Sequence, residues 1–392
     1  MSSKFLKIGA LSALVGLTGF GMYKYLNSKP LPKAPFQPIE DEIKPPKKQE
    51  KVTLIGSGNW GTACAKIVAE NCAKNPEFFE REVRIWVFEE IVEGQKLTEI
   101  MNTRHENVKY LPGHKLPDNL VADPDIVSAV KDATLLIFNF PHQFVAQTLE
   151  DIQGKVAKGA RAITLVKGVN FIEKKHVLVS EMISQELGIE VCSLMGANVA
   201  NEVAQGQFCE TTIGYKNLQT GLVLWKLFNT PNFHVRIVND VKGVEICGAL
   251  KNIVALGAGF CDGVKSFGGN TKAAIMRVGL MEMKLFAQTF YSSVQTETFF
   301  ESCGVGDIIT TCYGGRNRRC AEVYVRTRKS WQQIEEEQLN GQKLQGVGTS
   351  IEVYEILKNA NLLYRFPLFH TIYLIVQGEL EPDEIVRYDE IC

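Results

Sequence analysis

The chain has 392 residues, a formal net charge of −1 and an apolar fraction of 45%. This length accommodates two domains with cores of their own, and the balanced charge excludes a general nucleic-acid binder, whose surface would be basic. The ten cysteines include no CxxC pair and the six histidines no HExxH cluster, so we expect reduced thiols and no protein-bound catalytic metal.

The first fifty residues contain a hydrophobic segment followed by a linker. Residues 8–23 carry no charge and are flanked by Lys4 and Lys7 on one side and by Lys24 on the other. As a helix this stretch spans about 24 Å, less than the roughly 30 Å hydrocarbon core of a bilayer. A membrane anchor over residues 5–26, a cleaved secretory signal and a mitochondrial presequence therefore all stay open. An anchor would leave the bulk of the protein in the cytosol by the positive-inside rule.

Residues 27–50 are rich in proline and charge and show no apolar period. Proline at this density favours an extended, semi-rigid spacer. We therefore expect residues 1–26 to anchor or target the protein, residues 27–50 to be a linker, and the folded protein to begin at Lys51.

The first folded segment is typical of a dinucleotide-binding turn. An apolar strand at residues 51–55 leads directly into the motif GSGNWG at residues 56–61 and then into a helical pattern. In such a motif Gly56 permits the tight turn, Gly58 lets the backbone approach a pyrophosphate, and Gly61 allows the helix to pack closely on the strand. A glycine turn without function is the alternative.

Alternating strand and helix patterns continue to residue 240. The predicted strands cover residues 83–88, 135–140, 162–166, 191–195, 211–215 and 234–238, and helices begin near residues 144 and 174. This alternation predicts a doubly wound, mostly parallel sheet over residues 51–240, with ligands at the carboxyl ends of its strands. Glu89 and Glu90 follow the second strand and are candidates to bond the adenosine ribose. No arginine follows that strand directly, which favours NAD over NADP.

Lysines mark two positions where the sheet and the later helices would meet. Lys167 follows a predicted strand, so its ammonium is expected to point to the cleft unless it only opens a surface turn. Residues 246–261 form an apolar, small-residue segment interrupted by Lys251 and Asn252. A buried ammonium costs several kcal/mol unless it is paired. Lys251 therefore either reaches water along its own stem or takes part in chemistry.

From residue 241 to 392 the pattern is helical, with helices predicted at residues 241–260, 271–291 and 331–339 and an N-cap at Asn270 or Thr271. Asp307 and Thr311 share one face if their segment is helical. Arg316 follows two glycines and suits a phosphate, although a solvated basic turn is the alternative. Residues 341–346 have the composition of a flap over a site.

Motifs throughout residues 51–377 resemble those of the NAD-dependent glycerol-3-phosphate dehydrogenases of the eukaryotic cytosolic type. They stand at family-like spacing and are GSGNWG, WVFEE, ENVKYLPGHKLP, PHQF, LMGAN, CETTIGY, VEICGALKN, NTKAAIMR, ESCGVGDIITTCYGGRNR and NGQKLQG. The N-terminal hydrophobic segment with its linker and the short C-terminal tail depart from the family pattern.

The resemblance implies an N-terminal Rossmann domain, an all-helical catalytic domain, and a homodimer. It implies a catalytic centre of Lys251 as proton donor or acceptor with Lys167 and Asp307. It implies substrate contacts from Lys167, Thr311, Arg316 and Asn317. It implies NAD contacts from Gly56, Ser57, Gly58, Asn59, Trp60, Gly61, Phe88, Phe144, Lys167, Ala200, Arg316, Lys343 and Gln345.

The activity implied by the resemblance is reversible hydride transfer from NADH to dihydroxyacetone phosphate, which gives sn-glycerol 3-phosphate and links glycolysis to glycerolipid synthesis and NADH reoxidation. We expect a small-molecule substrate and a cytoplasmic catalytic unit. One alternative is a dehydrogenase of the same architecture that acts on another 2-hydroxy acid or a sugar acid. The other is a membrane-tethered NAD-binding sensor without catalysis.

Overall fold

The computed structural model describes residues 43–172 and 175–390. The hydrophobic segment at residues 8–23 and most of the linker lie outside this part of the chain, so both stay predictions. From Ile43 onward the chain forms one compact unit. The division into two domains at residue 240 likewise stays a prediction.

The first half of the unit is built on a large sheet. In chain order its strands and those of two small hairpins are β1 (Glu50–Ile55), β2 (Phe79–Trp86), β3 (Ile91–Val92), β4 (Gln95–Lys96), β5 (Leu120–Asp123), β6 (Leu135–Phe138), β7 (Arg161–Thr164), β8 (Val169–Ile172), β9 (Lys175–Leu178), β10 (Glu190–Gly196), β11 (Cys209–Gly214) and β12 (Phe233–Val238). Eight of them form a sheet in the order β12-β11-β10-β7-β6-β1-β2-β5. All neighbours in it run parallel except β10 and β11. The predicted doubly wound α/β fold is confirmed.

Helices cover both faces of this sheet. They are α1 (Asn59–Lys74), α2 (Leu97–Arg104), α3 (Ile126–Val130), α4 (Val145–Ile152), α5 (Val179–Leu187), α6 (Ala200–Ala204) and α7 (Leu218–Phe228). Side chains alternate along a strand, so Val52 and Leu54 join the core on one face while Ile55 joins the core on the other. Because both faces are buried, the carboxyl edge of the sheet is where a ligand finds exposed backbone.

The second half is helical, as predicted. Its helices are α8 (Val241–Gly263), α9 (Gly269–Phe290), α10 (Asp307–Gly314), α11 (Arg316–Thr327), α12 (Trp331–Leu339), α13 (Gln345–Asn359) and α14 (Pro367–Gln377). Helix α8 runs through the middle of their shared core. A Cβ on Gly259 would collide with the carbonyl of Arg318, so the small residues of α8 allow α11 to pack close. Among the described residues α8 is also the one helix long and apolar enough to span a bilayer, and its apolar stretch is buried.

Several local predictions are wrong, and strands β6 and β7 each end two residues earlier than predicted. Strand β2 ends at Trp86, two residues earlier than predicted, which leaves Phe88 to Glu90 in a loop. The helix predicted from about residue 174 begins only at Val179, as α5, because strands β8 and β9 pair as a hairpin before it. Edge strand β5 escaped prediction because its sequence, LVAD, contains a single β-branched residue and ends on a carboxylate. The N-cap of α9 is Gly268 rather than Asn270 or Thr271.

Candidate active site

The glycine-rich turn between β1 and α1 leaves backbone exposed at the start of a helix. Gly56 has a φ of 110°, which glycine adopts without strain. A Cβ there would collide with the carbonyl of Asn139, and one on Gly61 with the carbonyl of Gly56. A Cβ on Gly58 would meet nothing within 4 Å. The turn therefore fits a dinucleotide, since Gly58 leaves room for a pyrophosphate at the N-terminus of α1.

A loop that sequence reasoning did not assign holds this turn in place. Asn107 is fully buried, and its Nδ2 donates to the Ser57 carbonyl and to Thr62 Oγ1, both at 2.9 Å. Asn59 Nδ2 donates to the Tyr110 carbonyl at 2.7 Å. Side chains from both segments thus hold the loop at residues 107–110 against the glycine-rich turn at residues 56–61, which we call the phosphate turn. The only sequence signal for it was its inclusion in the family-like ENVKYLPGHKLP motif.

Other expected cofactor residues lie near the same edge of the sheet. Phe88 follows β2 and is 71% exposed, and Phe144 follows β6 and is 54% exposed. Ala200 begins α6 after β10. Two exposed phenylalanines beside a glycine turn have apolar surface available for a ring of the ligand. Trp60 instead packs on Phe233, with ring centroids 6.2 Å apart. Its ring therefore contributes to the packing of α1 against the sheet.

Both carboxylates that follow β2 already have partners. Glu89 accepts hydrogen bonds from Thr98 N at 3.2 Å and Thr98 Oγ1 at 2.6 Å, which places it at the N-terminus of α2. Glu90 accepts from Lys109 Nζ at 2.6 Å and from the Tyr110 hydroxyl at 2.9 Å. Of the two, Glu90 is the one tied to the loop that braces the phosphate turn.

Lys251, the lysine within the apolar stretch of α8, forms a buried ion pair. Lys251 is 5% exposed and Asp307, the first residue of α10, is 2% exposed. Lys251 Nζ contacts Asp307 Oδ2. Thr311 lies one turn further along α10, and its Oγ1 donates to Asp307 Oδ1 at 3.1 Å. The carboxylate is thereby held at both oxygens and points at the ammonium.

Lys167 brings a second ammonium to this pair from the carboxyl end of β7. Burial and the nearby charge of Lys251 lower the pKa of Lys167 to about 8, while Asp307 opposes the shift and Arg316 adds to it. Lys167, Arg316 and the Lys251–Asp307 pair are therefore close enough for their charges to interact. Three cations against one carboxylate favour an anionic ligand or a developing negative charge.

The start of α11 lies on the exposed side of this group of charges. Arg316 is exposed at the first position of the helix, directly after Gly315, and its Nη1 donates to Gln342 Oε1 at 3.1 Å. The guanidinium and the free amides of the helix N-terminus offer several donors to an anion. Its neighbour Asn317 is buried, so the two residues face different surroundings.

A chain of amide hydrogen bonds connects α8, α11 and α13. Asn317 Nδ2 donates to Asn252 Oδ1 at 3.0 Å, and Asn317 Oδ1 accepts from Gly346 N at 2.9 Å. Asn252 Nδ2 in turn donates to Gln345 Oε1 at 3.3 Å. Asn252 had no assigned role in the sequence, although it was one of two polar residues in the apolar stretch. It links the expected substrate residue Asn317 to the expected cofactor residue Gln345.

The segment predicted as a flap is pinned to α12. Lys343 Nζ pairs with Glu335 Oε2 at 2.8 Å, and the Lys343 side chain is 81% exposed. Leu344 is buried, and its backbone N donates to Glu335 Oε1 at 2.9 Å. In this structure the partner of Lys343 is therefore Glu335, and the expected contact with the cofactor stays a prediction.

Known proteins share both halves of this arrangement. Two family models match the chain: the NAD-dependent glycerol-3-phosphate dehydrogenase N-terminus over residues 51–221 and the corresponding C-terminus over residues 240–387. The human glycerol-3-phosphate dehydrogenase 1-like protein is 56% identical over 326 residues, covering 83% of this chain and 92% of the relative. The bovine cytoplasmic glycerol-3-phosphate dehydrogenase [NAD(+)] is 56% identical over 327 residues, covering 83% and 93%.

Solved structures agree. Glycerol-3-phosphate dehydrogenase from Saccharomyces cerevisiae superimposes with a TM-score of 0.83 at 47% identity, over 88% of this chain and all of the other. The Plasmodium falciparum enzyme gives a TM-score of 0.83 at 40% identity, over 87% and 95% of the two chains. Both similarities extend over the sheet and the helical half together.

Proposed function

This chain belongs to the NAD-dependent glycerol-3-phosphate dehydrogenase family, and from that premise we propose that Lys251 and Asp307 carry out the proton transfer of its reaction. The chain is an NAD-dependent oxidoreductase that interconverts dihydroxyacetone phosphate and sn-glycerol 3-phosphate. When bound, NADH supplies the hydride that adds to C2 of the ketone. The chain must bind both molecules, exclude water, and deliver one proton.

The buried Lys251–Asp307 ion pair is the single observation that carries this proposal. As hydride reaches C2, negative charge grows on the carbonyl oxygen, and Lys251 donates a proton to it; in the reverse direction Lys251 accepts the hydroxyl proton. Asp307, held by Thr311, orients the ammonium. Lys167 supplies a second positive charge that stabilises the developing alkoxide.

We assign the substrate phosphate to Arg316 and Asn317 at the start of α11. A guanidinium fork binds phosphate through two parallel hydrogen bonds. Binding energy from this remote group holds the carbonyl in place for hydride transfer. For Arg316 to reach a phosphate, its bond to Gln342 must open or be shared with the ligand.

The test follows NADH oxidation with dihydroxyacetone phosphate and, as a matched substrate without phosphate, dihydroxyacetone. Arg316→Ala is expected to raise the KM for the phosphorylated ketone about 100-fold, because a charge-assisted bidentate contact is lost. The KM for dihydroxyacetone should change little. An unchanged KM for the phosphorylated ketone would show that the phosphate binds elsewhere. NADH-dependent reduction of 2-oxo acids to 2-hydroxy acids at comparable kcat/KM would favour the rival dehydrogenase.

We also propose that residues 5–26 attach the catalytic unit to a membrane and that the unit is a homodimer. The uncharged run flanked by lysines supports attachment, and the family match begins only at residue 51. Relatives named as cytoplasmic support a cytoplasmic location for the unit itself. Imaging the full chain and a version starting at Lys51, each fused to a fluorescent reporter, tests the attachment. Identical diffuse patterns would exclude it, and light scattering of the purified protein would measure the oligomer.

A further inference from the structure

Two charged side chains beside the phosphate turn form a pair that the reaction itself does not use. The Glu90 carboxylate accepts from Lys109 Nζ at 2.6 Å and from the Tyr110 hydroxyl at 2.9 Å. The Glu90 side chain is 25% exposed and that of Lys109 is 39% exposed. A ligand can therefore reach both groups. Glu89, by contrast, is bonded to Thr98 at the start of α2.

The position of this pair relative to the turn is set by hydrogen bonds on either side of Lys109. Asn107 Nδ2 donates to the Ser57 carbonyl at 2.9 Å, and the Tyr110 carbonyl accepts from Asn59 Nδ2 at 2.7 Å. Glu90 approaches from the loop after β2, the strand next to β1. In dinucleotide-binding folds the adenosine ribose lies at this end of the second strand, with its 2′ position toward the side chains that follow.

We propose that Glu90 and Lys109 together select NADH over NADPH, with Glu90 facing the ribose 2′-hydroxyl while it occupies a lysine that would otherwise bind a 2′-phosphate. This inference rests on the assignment of the glycine-rich turn to NAD. It names Lys109 as a phosphate ligand that is masked by an intramolecular partner. Removal of the Glu90 charge, without addition of a new cation, should therefore weaken the selectivity for NADH over NADPH.

The electrostatics of the pair support this arrangement. Burial alone would raise the pKa of the Glu90 carboxyl, but hydrogen bonds from Lys109 and Tyr110 hold it below its ordinary value. The hydrogen bond to Glu90 raises the pKa of Lys109. Both groups are thus charged at neutral pH. The ionised Glu90 carboxylate would repel a 2′-phosphate, and Lys109 already donates its hydrogen bond to Glu90. The pair therefore disfavours NADPH.

The test measures dissociation constants for NADH and NADPH by calorimetry, together with those of the probes 5′-AMP and adenosine 2′,5′-bisphosphate. Glu90→Gln keeps the size of the side chain and removes its charge. It should tighten NADPH and the bisphosphate about tenfold, since Lys109 gains a phosphate partner. NADH and 5′-AMP should weaken by a few fold. The double variant Glu90→Gln with Lys109→Met should lose the gain for both 2′-phosphorylated ligands.

Glu89→Gln is the matched control. It removes the same charge from the neighbouring residue, whose carboxylate bonds Thr98 and not Lys109. Its NADPH to NADH ratio should stay near that of the wild type, and melting temperatures report whether each variant is folded. A ratio unchanged in Glu90→Gln while NADH still binds would overturn this inference alone. A gain in NADPH affinity that persists in the double variant, or that appears in Glu89→Gln, would also overturn it. Failure of the wild type to bind either dinucleotide would overturn the cofactor assignment as well.

Discussion

Replacing Lys251 by methionine separates the charge of this side chain from its packing. Methionine keeps an unbranched stem of similar length in the core of α8, while the ammonium that contacts Asp307 disappears. If Lys251 merely filled space, stability and turnover would both change little. If it is the proton donor, the variant should bind NADH and fail in the chemical step.

Two magnitudes follow from the burial of the pair. Asp307 is 2% exposed, so removal of Lys251 leaves an unpaired buried carboxylate at a cost of about 3–5 kcal/mol. For a chain of this size, with roughly 2 °C of melting temperature per kcal/mol, the melting temperature should fall by about 6–10 °C. Loss of a general acid should lower kcat by about 100-fold to 10,000-fold.

A second substitution distinguishes the structural effect from the catalytic one. Lys251→Met combined with Asp307→Asn removes the stranded charge, so the double variant should melt at a higher temperature than Lys251→Met alone. Its kcat should stay as low as that of the single variant. Differential scanning calorimetry and NADH oxidation measure the two quantities. A kcat for Lys251→Met within a few fold of the wild type would refute the role of this lysine, and a double variant less stable than the single would refute the account of the ion pair.

Two further predictions concern the groups around this pair. The pKa of Lys167 is about 8, so its positive charge is present below that pH and is lost as the pH rises through it; kcat/KM for dihydroxyacetone phosphate should therefore fall above about pH 8. Lys167→Arg should abolish this alkaline limb, and persistence of the limb would assign it to another group. A Cβ on Gly346 would lie 2.7 Å from both the Asn252 carbonyl and Asn317 Oδ1. Gly346→Ala should therefore disrupt the hydrogen bonds through Asn317 and Asn252 and raise the KM values for NADH and for the ketone about tenfold. Gly348→Ala is the control, because a Cβ there meets nothing within 4 Å, and it should leave both KM values unchanged.

What the sequence determined by itself was local or periodic. The turn at residues 56–61 was predictable because its conformation depends on glycines that are neighbours in the chain. Most strands of the sheet and the long α8 followed from runs of apolar side chains, whose periods reflect burial directly. The spacing of Asp307 and Thr311 placed them on one face once a helix was assumed, and α10 has them so. Prediction failed at β5, because its sequence, LVAD, contains a single β-branched residue and no marked apolar run.

The resemblance grouped Lys251, Lys167 and Asp307 as one catalytic centre, but only the tertiary structure decided which polar groups make contact and through which atoms. The pairing of Lys251 with Asp307, the approach of Lys167 from the sheet, and the amide chain through Asn252 all join segments that are remote in sequence. Such contacts depend on how α8, α10 and α13 pack, and no property of a single segment specifies that geometry. The same holds for Glu90, which the sequence offered as one of two equivalent carboxylates. Packing of the loop that carries Lys109 against the phosphate turn made the two different, because a side chain's function is set by the charges that folding brings to it.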